Sequence, residues 1–122
     1  MHRACKLGSP DTIPRKRDID WDALANVRAD CIQEELDEYK EGVANKDVPN
    51  IIQELCDLLY VVYGAAVVLG VDLEPFFEEI QRANMEKAGG PKREDGKQLK
   101  PAGWRPPDLI RVYERVYGGR PH

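Results

Sequence analysis

The chain reads as an all-α protein, an antiparallel helical bundle that a second copy of itself completes. Three observations carry this expectation. Apolar residues recur at intervals of three and four from Leu24 to Val43, the period of one helix face. A second such stretch opens at Asp47, Val48 and Pro49 and stops at Gly70, residue types suited to starting and ending a helix. Inside it, "LLYVVYGAAVVLG" is apolar almost all round, and a helix of that kind has to be covered on every side. One further helix cannot do that alone, so homo-oligomerisation is expected.

The elements follow in order. Residues 1–19, with Gly8, Pro10 and Pro14, read as a short helical start and then a loop. Asp20 is an N-cap for a helix from about Trp21 to about Lys46, with Leu24, Val27, Cys31, Ile32, Leu36, Tyr39 and Val43 along its stripe. "NKDVPN" breaks that helix. Asp47 then caps the next one, and Pro49 fits its first turn, where a missing N–H costs little. A third helix runs from Asp72 as cap to about Lys87, with Pro75 in its first turn and Phe76, Phe77 and Ile80 in the core. "AGGPKREDGKQLKPAGWRPPD" is a Gly- and Pro-rich loop, and a short helix from about Pro107 to Tyr117 follows it. We expect a single domain over residues 1–122, with its core at about 20–88 and the basic loop and last helix in 89–122.

Size and charge narrow the class of function. At 122 residues the chain lies near the size where small helical proteins lean on association. Its net charge of −4 is unevenly spread: acids dominate from Asp30 to Asp57, whereas Lys87, Lys92, Arg93, Lys97, Lys100 and Arg105 make residues 87–105 basic. An acidic chain is a poor duplex binder, so no nucleic-acid partner is expected, while the basic segment suits a small polyanion. Cys5, Cys31 and Cys56 form an odd set without CxxC spacing, which argues against a disulfide framework or a thiolate zinc site. "MHRACKLGSP" lacks the apolar region of a signal peptide. The apolar run from Leu58 to Val71 is shorter than a membrane span. The expected location is cytoplasmic, with no membrane partner.

The chemistry lies in the acids. "CIQEELDEYKEG", residues 31–42, carries Glu34, Glu35, Asp37, Glu38 and Glu41, and "QELCDLL" adds Glu54 and Asp57 among leucines. Residues three apart on a helix share a face, so Glu35 projects with Glu38 and Glu54 with Asp57. A short turn near residues 46–48 makes the two helices antiparallel neighbours and puts Glu38 and Glu54 at similar heights. Two carboxylate pairs then converge. Such a set needs Arg or Lys partners, protons or hard cations, and oxygen ligands without thiols suit Mg²⁺ or Mn²⁺. A solvated face, with Lys40 and Lys46 as partners, is the plain alternative. It is our reading for Asp37 and Glu41. Glu54 and Asp57 favour the metal, because acids beside Leu55, Cys56, Leu58 and Leu59 have no cation nearby in sequence.

Written as E-E-x-x-E (Glu34, Glu35, Glu38) followed by E-x-x-D (Glu54, Asp57), the acids resemble the signature of the all-α nucleoside triphosphate pyrophosphohydrolases, the MazG-like superfamily. That group includes dimeric dUTPase-like enzymes and phosphoribosyl-ATP pyrophosphohydrolase. "ELCDLLYVVYGAAVVLGVDL" is similar to the family's run after its second acid motif, and "ANMEK" to its N-x-x-K. "REDGKQLKPAGWRPPDL" is similar to the tail of the MazG-like subgroup close to dUTPases. The resemblance covers roughly residues 25–110.

The resemblance implies a four-helix-type fold and a hydrolase that cuts a nucleoside triphosphate between its α and β phosphates with Mg²⁺ or Mn²⁺. Glu35, Glu38, Glu54 and Asp57 would hold the metal, and Glu34, turned off that face, would orient or deprotonate the attacking water. Asn84, Lys87, Lys97 and Lys100 would contact phosphates or sugar, although each lysine reads equally as a solvated loop charge. Trp104 could stack on a base or anchor its loop to the bundle. Two departures stand out. Glu86 sits in "NMEK" where relatives commonly carry a small hydroxyl residue, and "MHRACKLG" matches only the end of the family's first helix, which leaves base selectivity open.

The expected function is therefore release of pyrophosphate from a non-canonical or excess nucleoside triphosphate such as dUTP, by a homodimer or higher homo-oligomer. Phosphoribosyl-ATP hydrolysis is the nearest rival, against which the tail "GKQLKPAGW" speaks. A non-catalytic helical module that binds divalent ions or a basic partner is the rival from another class.

Overall fold

The computed structural model describes residues 15–119. They are helical, as the sequence requires, and pack as two compact units that divide between Asp72 and Leu73. The expected helical start before residue 15 lies outside the described residues. Among these, β pairing is limited to an isolated antiparallel bridge between Lys92 and Gln98.

In the first unit a 3₁₀ turn, Lys16–Asp18, precedes the Asp20 cap, whose Oδ1 accepts from the Ala23 N–H at 2.9 Å. The helix then opens as a π-helical stretch, Ala23–Arg28, and continues as α1, Ala29–Ala44. Hydrogen bonds in a π stretch span one residue more than in an α-helix. The even stripe expected from residue 21 is therefore interrupted, and Val27, placed on it by the sequence, is 58% exposed. Val43 at the far end is also exposed. Leu24, Cys31, Ile32, Leu36 and Tyr39 keep to the covered side.

Lys46, in left-handed backbone at φ 54°, turns the chain into α2, Val48–Leu69. The start and stop of α2 match the sequence expectation. Asp47 accepts from the Asn50 N–H at 3.2 Å, Pro49 sits in the first turn, and Gly70 ends the helix at φ 88°.

Positions equally far from Lys46 face each other across α1 and α2. A side chain on Gly42 would meet Asn50 Nδ2 at 3.1 Å, and one on Gly64 would collide with the Arg28 guanidinium. Both pairs obey that symmetry, four positions and eighteen positions either side of Lys46. The same register sets Glu38 opposite Glu54 and Glu35 opposite Asp57.

The outer side of α2 is left open within one chain: Ile52, Leu59 and Tyr63 are exposed, and Tyr60 is 78% exposed. At 22 residues α2 is long and apolar enough to cross a membrane by length and composition. It exceeds the run from Leu58 to Val71 on which the sequence reading judged it too short. It also carries Glu54 and Asp57 on the side that meets α1.

The second unit holds α3, Glu74–Ala88, and α4, Leu109–Tyr117. The N-cap position of α3 is not the expected Asp72. The cap position falls on Leu73, without a side-chain hydrogen bond, because the helix begins two residues beyond Asp72. Pro75 occupies the first turn as expected. Phe76 and Ile80 face inward, but Phe77 is 63% exposed, a correction to its expected core position. A helix offers adjacent residues only one inward direction, about 100° apart, and Phe76 takes it. Its ring lies 6.2 Å from that of Tyr113, and Tyr113 lies 4.8 Å from Tyr117, so aromatic packing joins α3 to α4. Asp108 caps α4 by accepting from the Arg111 N–H at 3.1 Å.

The Gly/Pro-rich connection is ordered by its own bonds. Leu99 N–H donates to the Pro91 carbonyl at 2.8 Å, Arg93 N–H to the Lys97 carbonyl at 2.7 Å, and the Gln98 amide to the Gly90 carbonyl at 2.8 Å. Gly90 is needed there, because a Cβ would run into the Leu99 carbonyl and Pro101.

Candidate metal centre

The acidic site is built by the α1–α2 register. One helical turn separates Glu35 from Glu38 and Glu54 from Asp57, so each pair shares a face, and the symmetry about Lys46 brings the two faces together. Glu35, Glu38 and Glu54 each offer a carboxylate oxygen, and the three oxygens lie within 4.8 Å of one another. Asp57 lies outside this tight group, although its charge acts on both Glu35 and Glu54. Glu34 is exposed and its charge is felt only weakly by Glu35.

Burial sets the electrostatics. Glu54 is 3% exposed although it is an acid in a helix of leucines and valines. Its desolvation, followed by the charges of Glu38, Asp57 and Glu35, pushes its carboxyl above the ordinary glutamate range. Glu35 is raised for the same reason, first by desolvation and then by Glu38 and Asp57. One oxygen of Glu54, Oε2, is buried with no hydrogen-bond partner.

Neither Lys40 nor Lys46 relieves this. Both are exposed, and no ion pair to these acids occurs among the described residues. Asp37, read as a solvated acid, accepts from the Gln33 amide at 2.9 Å on the exposed side. Carboxylates gathered without a cation pay a repulsion and desolvation penalty that a hard divalent ion removes. An all-oxygen donor set with a buried, unsatisfied oxygen is chemically suited to Mg²⁺ or Mn²⁺.

The other expected residues belong to the second unit. Lys87 Nζ and Lys100 Nζ lie 5.9 Å and 5.0 Å from the centre of the Trp104 ring, so these three side chains do come together. The Trp104 indole N–H donates to the Ala83 carbonyl at 2.7 Å. That bond ties the tail to α3. Asn84 is exposed on α3, and Lys97 is exposed on the loop.

Glu86, the departure beside Lys87, is turned elsewhere: Arg82 reaches it at 2.8 Å and Arg105 at 3.7 Å. Arg82 also grips Glu79 at 2.9 Å and donates to the Arg105 and Pro106 carbonyls. Sequence reasoning missed this clamp, although Glu79 and Glu86 stand three and four positions from Arg82, the spacing at which helical ion pairs form.

Comparison with known proteins adds an independent finding. Residues 10–84, more than half of the chain, match the family model of phosphoribosyl-ATP pyrophosphohydrolase. The match contains both acid motifs and stops before Lys87 and the basic tail. An uncharacterized protein, L479, of Acanthamoeba polyphaga mimivirus is 35% identical over 66 residues, which cover 54% of this chain and 25% of that protein. The chain thus spans about a quarter of that relative's length.

Proposed function

Because the chain belongs to the phosphoribosyl-ATP pyrophosphohydrolase family, we propose that it hydrolyses a nucleoside triphosphate between the α and β phosphates, giving a nucleoside monophosphate and pyrophosphate. The observation that carries this reading is the group of Glu35, Glu38 and Glu54 within 4.8 Å, with Glu54 Oε2 buried and unsatisfied. Those three carboxylates and Asp57 would hold Mg²⁺ or Mn²⁺. Bound there, the ion would offset charge on the phosphate oxygens and acidify a nearby water.

Glu34, beside the cluster and outside it, orients that water and takes its proton. The water oxygen bonds to the α-phosphorus, the bond from that phosphorus to the bridging oxygen breaks, and pyrophosphate leaves with the bonding pair. Asn84, Lys87, Lys97 and Lys100 are our candidates for holding phosphate or sugar. The proposed role is removal of non-canonical or excess nucleotides such as dUTP, in the cytoplasm. The exposed apolar side of α2 supports a homodimer or higher assembly, for which sedimentation should give a mass above the 13.8 kDa of one chain.

Phosphoribosyl-ATP is the second reading of the substrate, favoured by the family match itself. The basic tail, outside that match, favours nucleoside triphosphates. The test is a panel of canonical and modified triphosphates plus phosphoribosyl-ATP, assayed for pyrophosphate with each metal. Release from triphosphates supports the proposal, and release from phosphoribosyl-ATP alone selects the second reading. No release from any of them leaves a metal-binding helical module.

A further inference from the structure

Two turns of helix from Glu35, on the same face, Arg28 enters the seam between the two helices. Its guanidinium lies against Gly64, with Cζ only 2.8 Å from where a Cβ would stand, so the missing side chain of Gly64 makes its berth. Arg28 is partly buried, and its Nε is buried with no hydrogen-bond partner. No ion pair or hydrogen bond engages the guanidinium among the described residues. The other described cations of the first unit, Arg15, Lys16, Arg17, Lys40 and Lys46, are exposed. A buried guanidinium N–H without a partner is costly to keep unless a ligand completes it.

The spacing identifies the ligand's part. At about 1.5 Å per residue, Arg28 stands about 10 Å along the helix from Glu35, close to the reach of a mononucleotide from phosphate to base edge. The row between them, Cys31 facing Val61, is apolar, a surface for a ring face and a poor one for phosphate. Guanidinium groups only donate hydrogen bonds. They pair with the adjacent O6 and N7 acceptors of guanine, whereas adenine sets an amino donor beside N7.

We propose that Arg28, seated on Gly64, is a specificity-determining residue that reads the base of the nucleotide and selects bases presenting a carbonyl acceptor over adenine. This rests on the nucleotide reading of the acidic site. It goes beyond that reading in naming the base class and the residue that selects it, and it disfavours an adenine-bearing substrate.

The test uses two ligands that differ chiefly at that edge, inosine and adenosine monophosphate, which as products are not consumed. Binding of each is measured by calorimetry with Mn²⁺ for the wild-type chain, Arg28→Met and Gly64→Ala. The second variant keeps the arginine and only closes its berth, displacing the far end of a flexible side chain. The wild type should bind the inosine form about tenfold or more tightly, as one such base contact implies. Both variants should bring that ratio near one, with Mn²⁺ affinity unchanged. A wild-type ratio near one, a ratio unchanged in the variants, or an equal loss for both ligands would overturn the proposal. Pyrophosphate release from inosine triphosphate by the wild type, run alongside, reports separately on the hydrolase reading.

Discussion

Glu35 and Glu54 face each other across the α1–α2 seam, with a carboxylate oxygen of each within 4.8 Å of the other, while Glu54 Oε2 is buried without a hydrogen-bond partner. Burial first, and the neighbouring acids after it, push both carboxyls above the ordinary glutamate range. That makes stability depend on pH in a direction opposite to most paired carboxylates.

Both groups are raised, so the folded chain keeps their protons to higher pH than the unfolded chain does. In the metal-free protein the contribution of this pair should therefore be greatest below the ordinary carboxylate range and be lost as pH rises through the folded values. Mn²⁺ needs the deprotonated form, so its thermal stabilisation should be larger at about pH 7.5 than at about pH 5. In Glu54→Gln the pH-dependent loss should shrink and the Mn²⁺ gain should disappear. Melting curves with and without Mn²⁺ across this range check both signs.

Glu34→Gln separates proton transfer from ion binding. Removal of a positioned base is worth about 10²–10⁴-fold in rate, so kcat should fall by that order while Mn²⁺ affinity, measured by calorimetry, stays at the wild-type level. A loss of Mn²⁺ affinity in step with kcat would make Glu34 a ligand instead.

Trp104 holds the tail to α3 through the Ala83 carbonyl, with Lys87 and Lys100 against its ring. Trp104→Phe should lower stability in urea by about 1 kcal/mol for the lost hydrogen bond and leave the ranking of nucleotide substrates unchanged. An altered ranking would return Trp104 to the base-stacking role.

The Glu79–Arg82 clamp carries the opposite pH sign. The Arg82 hydrogen bonds, then the Asp108 N–H, lower the Glu79 carboxyl from 4.5 to about 2. A depressed carboxylate stabilises the fold above its ordinary value and ceases to as pH falls through the folded one. Glu79→Gln should therefore melt lower than wild type at neutral pH, with the gap closing between about pH 4.5 and about pH 2. Melting temperatures taken through that window decide it.

The sequence made the local signals legible. Asp20, Asp47, Pro49, Gly70 and Lys46's neighbourhood act within a few residues of themselves, so spacing alone placed α2 and the acid faces. What escaped it depends on the partner helix or on backbone geometry that no residue type announces. The π stretch moved Val27 off its stripe, and the start of α3 beyond Asp72 handed the cap position to Leu73. Nothing in the local spacing singles out Arg28, because its berth comes from Gly64, eighteen positions beyond Lys46. Three of the four expected ligands gather tightly, and Asp57 stands off although it shares a face with Glu54. Side-chain reach, which sequence spacing does not encode, makes that difference.

We propose that the α1–α2 acids hold a divalent cation. Anomalous scattering from crystals soaked in Mn²⁺ tests it most directly. The account predicts a peak coordinated by Glu35, Glu38 and Glu54 that vanishes in Glu54→Gln. Crystals of the wild-type chain with no peak there, at Mn²⁺ concentrations that saturate exposed carboxylates elsewhere, would contradict it.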